Sequence, residues 1–156
     1  MKSLLSVVIL LLLLTSVTYA MNFNNLQNYV KIYNNRIGNA SPLIRDLLGN
    51  ENVDFTILLK NGSSLRWSME MENAVVVRSG YYGLQNPTIV VHATDDAINN
   101  IIDAADPMEA YNEAERSGQI SIDCRTFESQ IKVAAALKVG DAIKPFLNSL
   151  KGNQLL

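Results

Sequence analysis

Residues 86–123 predict a strand, two helices and a second strand in close succession, and this order leaves few folds open to the chain. Thr88–Val91 is short and β-branched, which favours a pleated strand. Thr94 follows with Asp95 and Asp96, so a hydroxyl and two negative charges stand where a helix N-terminus needs them. The first half of the segment therefore predicts a strand that leads directly into a capped helix.

The second half of the segment predicts a second helix and a returning strand. Pro107 follows Asp106 and suits the first position of a helix, where a missing backbone N–H costs nothing. Gly118 ends that helix, and Ile120 and Ile122 then alternate with polar residues as in a half-buried strand. This succession of strands and helices indicates a mixed α and β architecture.

The chain before this segment predicts two helices followed by three antiparallel strands. Asn22–Ile37 has apolar residues at helical spacing, and Ser41-Pro42 opens a short helix that Gly49 ends. Apolar residues then alternate with polar ones on both sides of Asn61-Gly62, a dipeptide typical of tight hairpin turns. The three predicted strands lie within Val53–Leu59, Leu65–Met71 and Ala74–Val77.

The chain after Ile122 predicts two further helices, one capped by Thr126 and one that begins after Gly140-Asp141. The complete order of elements predicts the α+β class, with a five-stranded, mostly antiparallel sheet and helices packed on one face. We find no internal repeat and no linker in this order.

Residues 1–20 have the pattern of a secretory signal and are set apart from the fold. Lys2 gives a positive start, Ser3–Leu14 is almost entirely apolar, and Ala20 is a small residue suited to cleavage. The apolar run is shorter than the roughly 20 residues that a membrane span needs. We therefore expect a signal peptide over 1–20, a single domain over 21–156 and a secreted or extracytoplasmic protein. An uncleaved membrane anchor is the alternative.

Composition excludes several classes of function. The 13 basic residues are outnumbered by 15 acidic ones, which leaves no basic field for nucleic acid. His92 is the only histidine and Cys124 the only cysteine, which excludes a histidine-rich metal site and an intramolecular disulfide. Asp95 and Asp96 lack the spacing of a calcium loop, and helix-end electrostatics explains them. Since we find no phosphate-binding glycine loop or nucleophile motif, we expect no catalytic activity, no cofactor and no metal.

The second helix and the returning strand carry a pattern formed by Asp106-Pro107, Ala110-Tyr111, Gly118 and Ile120-x-Ile122. In this pattern the chain resembles the sterol carrier protein type 2 family of lipid-binding domains, and the likeness in element order runs roughly from Val53 to Leu150. The resemblance implies binding or transfer of a fatty acyl chain, a sterol or a similar lipid, without catalysis, in an apolar cavity between sheet and helices. We also expect transient contact with a membrane. The tails of membrane lipids are as apolar as the cavity, so a bound lipid would lose almost nothing on release into a bilayer.

The apolar residues on one face of the strands and on the C-terminal helices are the candidates for the cavity lining. Met69 and Met71 carry flexible thioethers that adapt to varied ligands. Burial in an ordinary hydrophobic core is the alternative for each candidate. For the whole protein, the alternative is an extracytoplasmic interaction or structural domain of the same fold with a filled core. The candidate ligand-binding residues are Phe55, Ile57, Trp67, Met69, Met71, Val77, Ile89, Val91, Phe127, Ile131, Ala135, Phe146 and Leu150.

Overall fold

The computed structural model describes residues 26–137, in which helices and strands follow one another with short connections. The predicted signal over 1–20, the start of the first predicted helix and the final predicted helix lie outside the described residues. In chain order the elements are α1 (Leu26–Ile37), α2 (Pro42–Leu48), β1 (Asn52–Leu58), β2 (Ser64–Glu72), β3 (Val75–Gly80), β4 (Ile89–Thr94), α3 (Asp95–Asp103), α4 (Pro107–Arg116), β5 (Ile120–Cys124) and α5 (Phe127–Leu137).

The predicted helix boundaries are held by side-chain caps. The Thr94 hydroxyl accepts a hydrogen bond of 3.1 Å from the Ala97 N–H at the start of α3. The Thr126 hydroxyl accepts from the Ser129 N–H, also at 3.1 Å, at the start of α5. Gly118 takes a left-handed φ of 73° where α4 gives way to β5. These contacts confirm the helix starts and the helix end that the sequence predicts at these residues.

The five strands form one sheet in the order β3-β2-β1-β4-β5. Strands β1 and β2, β2 and β3, and β4 and β5 pair antiparallel, whereas β1 and β4 pair parallel. The chain reaches β4 by crossing from the far edge of the sheet to the other side of β1. The prediction of an α+β fold with a mostly antiparallel five-stranded sheet is confirmed.

The hairpin between β2 and β3 differs in detail from the prediction. Its turn residues Asn73 and Ala74 have φ angles of 49° and 68°, as a tight turn between twisted strands requires. Strand β3 therefore begins one residue later than predicted, and it extends to Gly80. The register of the β2–β3 pairing shifts between Glu70 and Met71, which marks a β-bulge.

The hydrophobic core lies between one face of the sheet and the helices. The helices contribute Tyr33, Ile37, Ile98, Ile101 and Tyr111, each at most 1% exposed, to the same buried cluster as the strand residues. Their apolar residues recur at helical spacing, so each helix turns one stripe toward the sheet. We call the sheet face in this core the inner face and the opposite one the outer face.

Candidate functional site

The inner face of the sheet is a continuous apolar surface. It is formed by the alternate residues of four strands that point toward the helices. Because paired residues in neighbouring strands point to the same side, the strand register aligns the inner-face residues in rows across the sheet. The three rows are Met69–Val53–Ile89–Cys124, Trp67–Phe55–Val91–Ile122 and Leu65–Ile57–Ala93–Ile120.

Most of the predicted strand residues lie on this inner face. Met69 and Ile89 have no exposed surface, and Trp67 retains 6%. A flexible thioether therefore lies at the middle of β2, with an aromatic side chain two residues before it. The predicted residues found buried in the core are Phe55, Ile57, Trp67, Met69, Met71, Ile89 and Val91.

Val77 does not belong to this face, and the bulge explains why. Beyond the bulge Met71 pairs with Val76, so the inward-facing parity on β3 changes from odd to even numbers. The Val76 side chain is 5% exposed, whereas the Val77 side chain is 53% exposed. The placement of Val77 on the inner face is therefore wrong, and Val76 takes that place.

The predicted residues of the C-terminal helices lie apart from the strand rows. Phe127 and Ile131 are 76% and 51% exposed, and they lie one helical turn apart at the start of α5. They therefore form an exposed apolar stripe beside the core. The Ala135 side chain, Phe146 and Leu150 lie outside the described residues, so their part in the lining stays a prediction.

Several inner-face residues were absent from the predicted lining. Val53, Leu65, Ala93 and Ile120 stand in the same rows as the predicted residues. The odd-number alternation that selected Phe55 could have found the first three. The helix residues that cover the face required knowledge of how the helices pack, which periodicity alone does not provide.

Trp67 has an unusual position in this apolar layer. Its ring centroid lies 5.5 Å from that of Phe55, with the planes tilted by 40°. The indole Nε1 is buried, and none of the described residues accepts a hydrogen bond from it. Leaving a buried donor unpaired costs about 1–3 kcal/mol relative to a paired one. The inner face therefore contains one neutral hydrogen-bond donor with unused capacity.

The outer face carries polar side chains that pair with one another. Asp54 is 5% exposed and accepts a 2.6 Å ion-pair contact from Arg66 Nη2 on the neighbouring strand. The Ser68 hydroxyl lies 2.6 Å from the other Asp54 oxygen and also contacts the Tyr82 carbonyl of the β3–β4 loop. His92 lies on the same face and is exposed. This arrangement satisfies its own polar groups and leaves the inner face as the apolar candidate.

A polar cleft of about 510 Å³ lies between α2 and the start of α5. Within it Lys132 Nζ contacts Glu128 at 2.7 Å and the buried Glu51 at 3.2 Å. Burial lowers the pKa of Lys132, but hydrogen bonds and charge attraction from Glu128 and Glu51 outweigh it and hold that pKa above its ordinary value. Glu51 also accepts a 2.5 Å hydrogen bond from the Thr88 hydroxyl. Lys132 pairs with both carboxylates, and the charged lining of this cleft does not suit an apolar chain.

Cys124 ends the first row of the inner face. Burial, together with the nearby charges of Glu51 and Asp123, raises the pKa of the Cys124 thiol. The neutral thiol that results is a poor nucleophile. Cys124 therefore contributes to the half-buried rim of the apolar layer.

Residues 26–137 contain neither a side-chain cluster suited to a metal ion nor a helix suited to a membrane span. No cluster of three or more histidine, cysteine or acidic side chains in this range could hold a metal ion. Every helix in the range is too short or too polar to cross a lipid bilayer.

The fold has counterparts among solved structures. The sterol carrier protein domain 2 of Helicoverpa armigera matches with a TM-score of 0.51 at 16% identity, covering 80% of this chain and 94% of that one. A conserved hypothetical protein of Thermus thermophilus, described as possibly a sterol carrier protein, matches with a TM-score of 0.52 at 9% identity, covering 87% of this chain and 94% of that one. No protein-family model and no curated protein matches the sequence. The chain therefore has a fold like that of sterol carrier protein 2 domains.

Proposed function

We propose that this protein is a non-enzymatic lipid-binding domain that holds a fatty acyl chain, a sterol or a similar lipid against the inner face. The observation that carries the proposal is the set of three apolar rows, continuous over four strands, on the face opposite the paired Asp54 and Arg66. The likeness to sterol carrier protein folds supports the same conclusion by analogy. Each buried CH₂ of a ligand gains roughly 0.8 kcal/mol relative to water, so an acyl chain of ordinary length is worth several kcal/mol there.

Native mass spectrometry combined with displacement of a fluorescent acyl probe tests this function. Protein purified from a heterologous host is expected to carry lipid in native spectra and to lose it under denaturing conditions. Met69→Leu keeps the buried volume but removes the thioether, and it is expected to change acyl-probe affinity at least about threefold. His92→Ala on the exposed outer face is the matched control and should leave affinity unchanged. A lipid-free native spectrum without displacement contradicts the proposal.

An interaction or structural domain with a filled core is the second candidate. It is favoured by the complete burial of Val53, Met69 and Ile89, which form one closed row across three strands. Binding would then require that row to open. The same mass spectra distinguish the two candidates, since a filled core yields only the polypeptide mass under both conditions.

The proposed place of action is outside the cytoplasm, after removal of residues 1–20. An N-terminus at Met21 in protein from a secreting host supports this proposal, and a full-length chain in the membrane fraction favours the anchor. Transient membrane contact is proposed for the exposed Phe127 and Ile131 on α5. Vesicle flotation of Phe127→Ser and Ile131→Ser, beside the unchanged protein, tests that contact.

A further inference from the structure

The Trp67 indole N–H is the most unusual polar group of the inner face. Trp67 is the only tryptophan of the chain, its side chain is 6% exposed, and its Nε1 has no acceptor among residues 26–137. Buried donors in folded proteins are nearly always paired. An unpaired donor inside an apolar layer therefore points to an acceptor from outside residues 26–137, and a bound ligand can supply one.

The position of Trp67 suits the polar end of an elongated ligand. The pairing of β2 with β3 ends at Ser68 opposite Gly80, so Trp67 lies just past the end of β3. Helix α1 begins near this corner, since the Gln27 side chain donates a 2.9 Å hydrogen bond to the Ser79 carbonyl. The donor is thus near one border of the inner face, and the apolar row that starts at Trp67 continues through Phe55 to Val91.

The surroundings of Trp67 decide which chemical group the donor can hold. Its partners on the inner face are apolar, and the adjacent Arg66 is committed to Asp54 on the outer face. A carboxylate placed here would lose its hydration with no cation to compensate it. A hydroxyl would bring a donor of its own that needs another acceptor. An ester or ketone carbonyl only accepts, and it matches a single neutral donor.

We propose that Trp67 Nε1–H donates a hydrogen bond to the carbonyl oxygen of a neutral lipid, such as an acyl ester or a ketone. This inference rests on the proposed lipid-binding function and names the ligand class for the same site. The apolar part of the ligand then lies along the inner face. Selectivity for neutral carbonyl lipids over free fatty acids follows. A neutral carbonyl pairs the N–H donor without bringing a charge that has no partner.

An affinity cycle with three ligands tests the hydrogen bond. Methyl dodecanoate carries the carbonyl, pentadecane has the same number of heavy atoms without an acceptor, and dodecanoate at pH 8 carries the charge. Trp67→Phe keeps an aromatic ring against Phe55 but removes the N–H. We expect Trp67→Phe to weaken the binding of methyl dodecanoate about five- to tenfold, which is the effect of one hydrogen bond. The binding of pentadecane should weaken less than about twofold. Displacement of a fluorescent acyl probe measures the affinities of all three ligands, and equal weakening of all three overturns the inference.

Nuclear magnetic resonance of the unaltered protein tests the same contact without a substitution. A single tryptophan gives a single indole N–H signal in a ¹⁵N-labelled sample. Methyl dodecanoate is expected to move that proton downfield, and pentadecane is expected to leave it in place. Equal movement with both ligands, while native mass spectra show both bound, overturns the inference and leaves the lipid-binding function intact. Absence of both bound masses overturns the inference and the lipid-binding function together.

Discussion

The Tyr33 hydroxyl on α1 donates a 2.7 Å hydrogen bond to the carbonyl of Ala74, 41 residues further along the chain and buried in the core. Ala74 is a turn residue with a left-handed φ of 68°. Burial raises the pKa of Tyr33, so its hydroxyl stays protonated and keeps donating. Together with hydrogen bonds from Gln27 and Asn34 to β3, this contact holds α1 to the hairpin that carries β2 and β3.

Removal of that hydroxyl tests how much the contact stabilises the fold. Tyr33→Phe leaves the ring in place and strands the buried Ala74 carbonyl, so we expect a loss of about 1–2 kcal/mol in the free energy of unfolding by urea. Tyr82→Phe is the matched control, because its hydroxyl makes a longer contact of 3.4 Å to Glu70. Equal stability losses in the two variants contradict the assignment.

Half-buried Lys132 is a cation partner of the buried Glu51 carboxylate, and its loss should leave an unmatched charge. Lys132→Met leaves the Glu51 carboxylate buried without its cation, and we expect a loss of about 3 kcal/mol. Adding Glu51→Gln should restore part of that stability, since it removes the stranded charge. Lys60→Met breaks the exposed contact with Asp96 and serves as the control, with no measurable change in the urea midpoint. A double variant no more stable than Lys132→Met contradicts this account.

The raised pKa of Lys132 also predicts a pH dependence at the alkaline end. A cation whose pKa is higher in the folded state than in the unfolded state stabilises fully below the unfolded pKa. That contribution is lost as the pH rises through the raised, folded pKa. The stability difference between the protein and Lys132→Met should therefore be constant near neutral pH and shrink only above about pH 10.5. Urea titrations at several pH values measure it, and a difference that shrinks between pH 6 and 8 contradicts the prediction.

Gly49 occupies a position that should tolerate no side chain. It has a φ of 49°, and a Cβ built there lies 2.6 Å from Lys132 Nζ and 3.3 Å from the Asp46 carbonyl. Gly49→Ala should therefore lower stability by more than about 1 kcal/mol, because it combines backbone strain with displacement of the lysine. Gly62→Ala has a positive φ in open space and isolates the strain, while Gly38→Ala has neither and should be nearly neutral. The expected order of thermal midpoints, from highest to lowest, is Gly38→Ala, then Gly62→Ala, then Gly49→Ala.

Cys124 should be slow to react with alkylating agents near neutral pH. Its thiol has a raised pKa, caused first by burial and then by the charges of Glu51 and Asp123. Since the thiolate is the nucleophile, the pH midpoint of iodoacetamide alkylation should be higher in the native protein than in urea. Asp123→Asn removes one of the negative charges and should lower the native midpoint. Identical midpoints in native and unfolded protein contradict the prediction.

The elements and their caps were predictable because they depend on local chemistry. Thr94 and Thr126 hold helix starts through hydrogen bonds to residues three positions away, and such contacts are written directly in the sequence. The alternation that placed Phe55 and Trp67 on one face depends only on the period of a strand.

The features missed by sequence reasoning depend on pairing between distant segments. Val77 was misplaced because the bulge at Glu70 is a property of the β2–β3 register and not of either strand alone. The unused donor of Trp67 emerges only when its surroundings are known, since a tryptophan in an alternating strand gives no sign of whether an acceptor approaches it.

The sheet order has a consequence for how the domain opens. Strand β1 lies between β2 and β4, so it is paired on both sides, whereas β3 and β5 are edge strands. Edge strands can detach locally, but the backbone amides of β1 exchange only when one of its neighbours also leaves. In deuterium exchange the central strand should therefore stay protected longest. The lipid proposed as ligand can then enter along an edge while that central strand remains paired.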